Sequence, residues 1–424
     1  MKILQRRHFF RMSVFLAVGI TGIALAGQPS HYEVDARIDP STGDTQAHLT
    51  MSIGLEEPAD TLAFLLHEDL AIKNIKAPGL LSYERETFQP PGSDIEHVSR
   101  IEFNFEEPTD SIEIAWQYAG RLLDEHIVMG QAAMTELWME LPAEAMWVPF
   151  EESMRLRFTF EARIHLPDEF DLLSTGQVKK GSNGWLVNST LPGPDIPLIA
   201  SARMEMEEYA HGDGTGIKVY HAGADTELIN YIGEHTAVII DRYEDRFQTA
   251  HQADALRITL SPLERQFAHS YARPGLIALE YGVEPGEKLL GLIAHEAAHL
   301  WWFNSRDTQS RHNFLNESFA EYFQWMELGH AFGKESYLAQ IERAREATRD
   351  APGFDEWTPA NNRILSYTAG PLLLHELRGR IGDEKFDQFL RNLLQTRAGT
   401  LEEMIDSLEA VAGKSEAQWL ADAL

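Results

Sequence analysis

Residues 291–304 read GLIAHEAAHLWWFN, and the nature of the C-terminal half turns on how this stretch is read. It holds His295, Glu296 and His299 in the order H-E-x-x-H. On a helix, residues four apart lie one turn apart on one face, so His295 and His299 project together. Two imidazoles so placed can ligate one Zn²⁺, and Glu296 beside the first can act as general base towards a water that the metal activates. The competing reading is a helix with two ordinary histidines. The helical context is good: Pro285 suits a first turn, and Leu289, Leu292, Ile293, Ala297 and Leu300 recur at three-to-four spacing. A catalytic zinc also needs a third protein ligand and an open position.

A candidate follows in NFLNESFAEYFQWMELG, residues 313–329. Phe319, Tyr322, Phe323 and Met326 form an apolar stripe, and Gly329 is a stop signal. Glu317 falls in the first turn, where a packed helix can point it at the same metal. His-His-Glu leaves a fourth position open, as a catalytic zinc requires. Taken alone, a Glu in a first turn is ordinarily a surface residue that offsets the helix dipole.

The pair HEAAH…LNESFAEYF resembles the gluzincin metallopeptidases of the aminopeptidase N family, whose pattern is H-E-x-x-H, a loop, then N-E-G-F-A. The resemblance implies one zinc per chain on His295, His299 and Glu317, with Glu296 as general base and a peptide as substrate. The interval from Leu300 to Asn316 is one residue shorter than is usual in the family. The deletion is expected in the connecting loop, because one residue lost inside a helix would turn Glu317 by about 100°. A further match lies in RILSYTAGPLLLHEL, similar to the family's Tyr-x-x-Gly segment. It carries over Tyr367 as a hydrogen-bond donor to the oxyanion, a role that stabilises charge where it develops; the alternative is a Tyr packed at a helix start.

The family pattern fails ahead of the zinc helix. Where relatives carry G-x-M-E-N, whose Glu binds the substrate's α-amine, this chain reads HSYARPGLI, with His269 at the Gly, Ala272 at the Glu and Arg273 at the Asn. Alanine cannot bind an ammonium, so aminopeptidase specificity is in doubt. Glu136, Glu140 or Glu144 could substitute, and nothing in the sequence selects among them. Arg273 could bind a substrate carboxylate bidentately, or pair with one of the chain's many carboxylates. Larger family members continue into a long helical domain; this chain ends at Leu424, so a more open cleft is expected.

With 424 residues, 44% of them hydrophobic, the chain can bury a large core and is expected to divide into domains. The formal net charge of −30 argues against nucleic acid and anionic membrane surfaces as partners. Cysteine is absent, so any metal must sit on His, Asp and Glu. The first 26 residues, with Lys2, Arg6, Arg7 and Arg11 ahead of an apolar run ending in Ala24-Leu25-Ala26, have the form of a signal peptide. RRHFFR also resembles a twin-arginine signal. Cleavage would take the formal charge from −30 to −34 and leave no stable membrane insertion; an uncleaved anchor is the alternative.

Residues 27–206 read as short alternating strands broken by turns such as DPSTGD and LPGPDIP, which suggests an antiparallel β-sandwich. Residues 207–424 read as a mostly helical, thermolysin-like catalytic domain, with ALRITLSP and PGLIALEYG as strands and Thr400 with Glu403 as a capping box. The expected protein is an α+β, multidomain, exported zinc metallopeptidase, periplasmic or secreted. The alternatives are a zinc hydrolase of a non-peptide bond and a non-catalytic peptide-binding relative.

Overall fold

Period-two alternation builds the first sheet. In Ser30–Ile38, Tyr32, Val34, Ala36 and Ile38 are buried while Glu33, Asp35 and Arg37 face solvent. These positions come from a computed structural model, which describes residues 30–424 except 90–97, 123–131, 155, 213–215, 254, 264–269, 281 and 303–312. The signal-peptide segment and most of the shortened connection after His299 lie outside the described residues.

Two 24-residue strands, Asp44–His67 and Val98–Arg121, pair antiparallel and form the spine of a nine-stranded sheet. A separate four-stranded sheet contains Trp138–Leu141 and Leu198–Ser201. The pairing is not antiparallel throughout. Ser30–Ile38 runs parallel to Phe158–His165, with Val34 opposite Ala162. Alternation is the same for both pairings, and the long intervening chain makes the crossover that a parallel pair needs.

The C-terminal part opens on a third sheet before its helices. Five strands stand in the order Glu205–Tyr209, Ile217–His221, Leu256–Leu260, Leu276–Leu279, Tyr271–Arg273. The two central pairings are parallel. Helix α1 (Thr226–Phe247) makes the crossover between the first parallel pair. It starts where the Asp225 carboxylate accepts the Glu227 amide, and buries Ile229, Ile232, Ile239, Ile240, Tyr243 and Phe247 along one face.

Helix α2 (Glu287–Ala298) carries the H-E-x-x-H stretch and packs against α1 and α3 (Phe319–Phe332). Helices α4 (Lys334–Ala347), α5 (Asn362–Ile364) and α6 (Gly370–Ile381) follow. The Thr400–Glu403 capping box forms as expected, at the start of Leu401–Ala412. Trp301 and Trp302 are core residues: Trp302 stacks on Phe319 at 4.5 Å, and Trp301 meets Tyr243 and Phe247 edge-on. A small apolar cluster of Trp138, Leu173, Ile199, Tyr271, Leu276 and Ala278 joins the strand-rich half to the third sheet. Among the described residues, no helix is long and apolar enough to cross a membrane.

Candidate metal centre

His295 and His299 leave the end of α2 towards the first turn of the next helical segment. Their Nε2 atoms are 3.2 Å apart. Oε2 of Glu317 lies 3.2 Å from Nε2 of His295 and 3.4 Å from Nε2 of His299. Donors about 2.0–2.1 Å from a tetrahedral zinc are separated by about 3.3–3.4 Å. The three atoms therefore have the mutual spacing of a shared tetrahedral ion, and this donor set fits zinc.

The outer ring nitrogens decide which lone pairs face inward. Nδ1 of His299 is 2.9 Å from the Trp302 carbonyl, which can only accept, so Nδ1 carries the proton and Nε2 keeps its lone pair. Nδ1 of His295 faces Oε2 of Glu321 at 3.2 Å in the same way. The other oxygen of Glu321 accepts from Trp325 Nε1 at 2.8 Å and Gln324 Nε2 at 3.0 Å. Sequence reasoning passed over Glu321, although its place four residues after Glu317, on the same helix face, was a usable signal.

Burial opposes charge on all three donors, yet their mutual contacts outweigh it. His299 and His295 hold the Glu317 carboxyl well below the usual range. Hydrogen bonds to Glu317 and Glu321 raise His295 well above it. Glu296 is 5% exposed, and burial pushes its pKa up while His295 and His299 pull it back.

Glu317 and Tyr367 both sit on π-helical turns, Phe314–Ser318 and Leu365–Ala369. A π-turn inserts one extra residue and re-aims the side chains on it, and such turns recur at functional sites. The two turns pack together through Ser318, whose hydroxyl donates to the Ser366 carbonyl at 2.8 Å. Gly370 permits the approach, since a Cβ there would lie 2.0 Å from Ser318 Oγ. This explains the glycine of Tyr-x-x-Gly in this chain. The Tyr367 ring lies parallel to that of His295 with centroids 6.0 Å apart. Burial first, then the negative charge of Glu317 and the hydrogen bond to it, raises the phenol's pKa, so it remains a donor.

A cavity of about 840 Å³ opens over this centre, lined by His295, Glu296, His299, Glu317 and Tyr367. Ala272, Arg273, Glu144 and Arg157 line it as well. Arg273 donates Nε to Asp195 Oδ1 at 2.7 Å and Nη1 to the Ala272 carbonyl at 2.8 Å. The ion pair foreseen as one use of Arg273 is thus present, and the residue still lines the cavity. Of the three acids considered as replacements for the one missing at Ala272, Glu144 lines the cavity. Glu140 is buried against the Trp138 indole, and Glu136 is exposed. His330 is exposed and His375 bonds Tyr337, both away from the centre; His269 and His312 lie outside the described residues.

A donor set of two His and one Glu thus lies on the helical part that follows a β-rich half. Residues 276–422 match the profile of the Peptidase family M1 domain. The match covers the helical part of the chain and is consistent with an aminopeptidase N-like gluzincin. Among solved structures, the M1 zinc metallopeptidase from Deinococcus radiodurans superposes with a TM-score of 0.69 over 94% of each chain at 16% identity. A mutant of the Deinococcus radiodurans M1 zinc metallopeptidase bound to the substrate Tyr-Ser-Ala gives 0.71 at 17% identity, again over 94% of each chain. These likenesses establish the two-part fold, β-rich then helical. No curated protein sequence matches the chain.

Proposed function

We propose that the protein is an exported zinc metallopeptidase, and the observation that carries this is the tetrahedral spacing of the His295, His299 and Glu317 donors under one cavity. These residues would hold the zinc, which when bound would polarise a carbonyl and make a water acidic near neutral pH. Glu296 accepts that water's proton and passes it to the leaving amine. Its burial supports this, because a base poised nearer neutrality than an ordinary Glu can also return the proton. Tyr367 donates its hydroxyl hydrogen to the oxyanion, where charge develops only on the way to the transition state. The strand Tyr271–Arg273 is the edge of its sheet and lines the cavity, so an extended peptide can lie along it. The signal-like N-terminus supports export.

Ala272 in the cavity wall favours a weak preference for free α-amines. An ammonium buried without its counter-charge is costly. A non-peptide zinc hydrolase is the second reading, favoured by the same residue. The test is kcat/KM for free and acetylated versions of one peptide, in wild type and Ala272→Glu. Cleavage of both versions by wild type, with a shift towards the free amine in the variant, is expected. No cleavage of either by the zinc-loaded protein overturns the peptidase reading. A strong wild-type preference for the free amine means that another acid, with Glu144 best placed, has taken over the role.

A further inference from the structure

We propose that His211, Asp241 and Glu244 form a second cation site, which takes a divalent transition-metal ion such as Zn²⁺ and ties α1 to the strand connection before it. Asp241 and Glu244 stand three apart on α1 and so share a face. His211 follows the strand Glu205–Tyr209 and is buried against them. Its Nδ1 is 3.0 Å from Asp241 Oδ1, and its Nε2 is 3.4 Å from Glu244 Oε2. One donor atom of each residue lies within 4.8 Å of those of the other two.

Two acids on a helix are ordinarily a solvated face, and His211 argues otherwise. It is 5% exposed, and its buried Nδ1 has no hydrogen-bond partner among the described residues. Asp241 is close enough to be that partner but is not aligned as one. An N–H aimed at a carboxylate makes a hydrogen bond, whereas two donors aimed at a common ion do not point at each other. Donors about 2.0–2.2 Å from one ion stand about 3.0–3.4 Å apart, depending on coordination number. Burial lowers the pKa of nearby His251, and its buried Nδ1 also lacks a partner among the described residues. The donor set mixes imidazole with carboxylate, which suits zinc-like ions over magnesium or calcium. Half-exposed Asp241 leaves room for water on the ion.

The site has a mechanical consequence. Between Asp241 and Glu244 stand Arg242 and Tyr243, which make contacts with the catalytic helices. Arg242 pairs with buried Glu327 of α3, and the Tyr243 hydroxyl donates to the Ala294 carbonyl of α2, one residue before His295. An ion at this turn steadies the helix against which both helices of the metal centre pack. It binds only the folded arrangement, so its stabilisation grows with the logarithm of the ion concentration above Kd.

The test is calorimetric titration of the zinc-loaded protein with further Zn²⁺, together with its thermal midpoint. Wild type should take up one additional equivalent and melt higher as Zn²⁺ is added. Asp241→Asn/Glu244→Gln should bind that equivalent at least tenfold more weakly and lose the rise in midpoint. It should retain the first zinc and an unchanged kcat/KM. His211→Ala should behave alike; because it empties a buried position, the carboxylate pair decides if it folds poorly. No additional uptake by wild type overturns the proposal, as does undiminished uptake by the carboxylate variant. A rise in midpoint with Mg²⁺ equal to that with Zn²⁺ overturns imidazole ligation. The same titration in His295→Ala/His299→Ala reads this site without the other, so failure of the peptidase reading leaves it standing.

Discussion

Glu317 and Tyr367 reach the cavity from two π-turns that touch where Ser318 meets Gly370. The substitution Gly370→Ala puts a methyl carbon 2.0 Å from Ser318 Oγ and 2.6 Å from its Cβ. Carbon pairs relax at about 3.5–4.0 Å, so the two segments must part by about 1 Å. Ser318 has nowhere to go: it is fully buried, and its hydroxyl is committed to the Ser366 carbonyl. Overpacking costs about 1–3 kcal/mol, and a broken buried hydrogen bond adds about 1–3 kcal/mol, so the variant should lose about 2–6 kcal/mol of stability. The parting moves Glu317, next to Ser318, and Tyr367, next to Ser366. A 1 Å misplacement of catalytic geometry costs about 10²-fold, so kcat/KM on a peptide should fall by about that factor and zinc should leave faster to a chelator. Ser318→Gly removes both clashing atoms, so Gly370→Ala/Ser318→Gly should recover most of the lost activity though not the hydrogen bond. If Gly370→Ala kept wild-type kcat/KM, zinc retention and thermal midpoint, close packing of the turns could not be what positions the site.

Glu296→Gln should keep zinc and fold while losing about 10²–10⁴ in rate, typical for removal of a general base; near-wild-type hydrolysis with zinc bound would place the base elsewhere. Glu321→Gln should weaken zinc binding about 10–100-fold, because it removes the carboxylate that orients His295; competition with a chelator measures it, and equal affinity refutes the orienting role. Burial pushes the Glu327 carboxyl to about 7 although Arg242 pulls against it. Its folded pKa is raised, so the folded state alone holds the proton between about 4.5 and 7, and this contribution to stability falls by about 1.4 kcal/mol per pH unit across that window. Glu327→Gln should therefore show a smaller loss of stability between pH 5 and pH 8 than wild type in denaturant melts.

Much of the site was legible because its signals are local. His295 and His299 share a face by helical spacing alone, and Glu317, Tyr367 and Gly370 sit in short motifs. The strands of the first half announced themselves by alternation. The third sheet was legible only in part. Leu256–Leu260 and Leu276–Leu279 read as strands, but a short apolar run does not reveal its neighbours or their direction. The parallel pairing of Ser30–Ile38 with Phe158–His165 was hidden for the same reason.

By itself the sequence determined which groups could do chemistry: two imidazoles one turn apart, a Glu beside them, a Glu and a Tyr further on, and no acid at Ala272. Tertiary structure alone decided which of them meet. Packing of α2 against α3 brings Glu317 within 3.4 Å of both imidazoles. The contact of Ser318 with Gly370 sets two π-turns side by side, and Asp195 reaches Arg273 across 78 positions of chain. His211 meets Asp241 and Glu244 only because a strand connection folds back onto α1. The physical reason is range: helical period, capping and charge act over a few residues and can be read from letters, whereas a metal site needs donors placed to tenths of an ångström, and that precision comes from the close packing of elements distant in the chain.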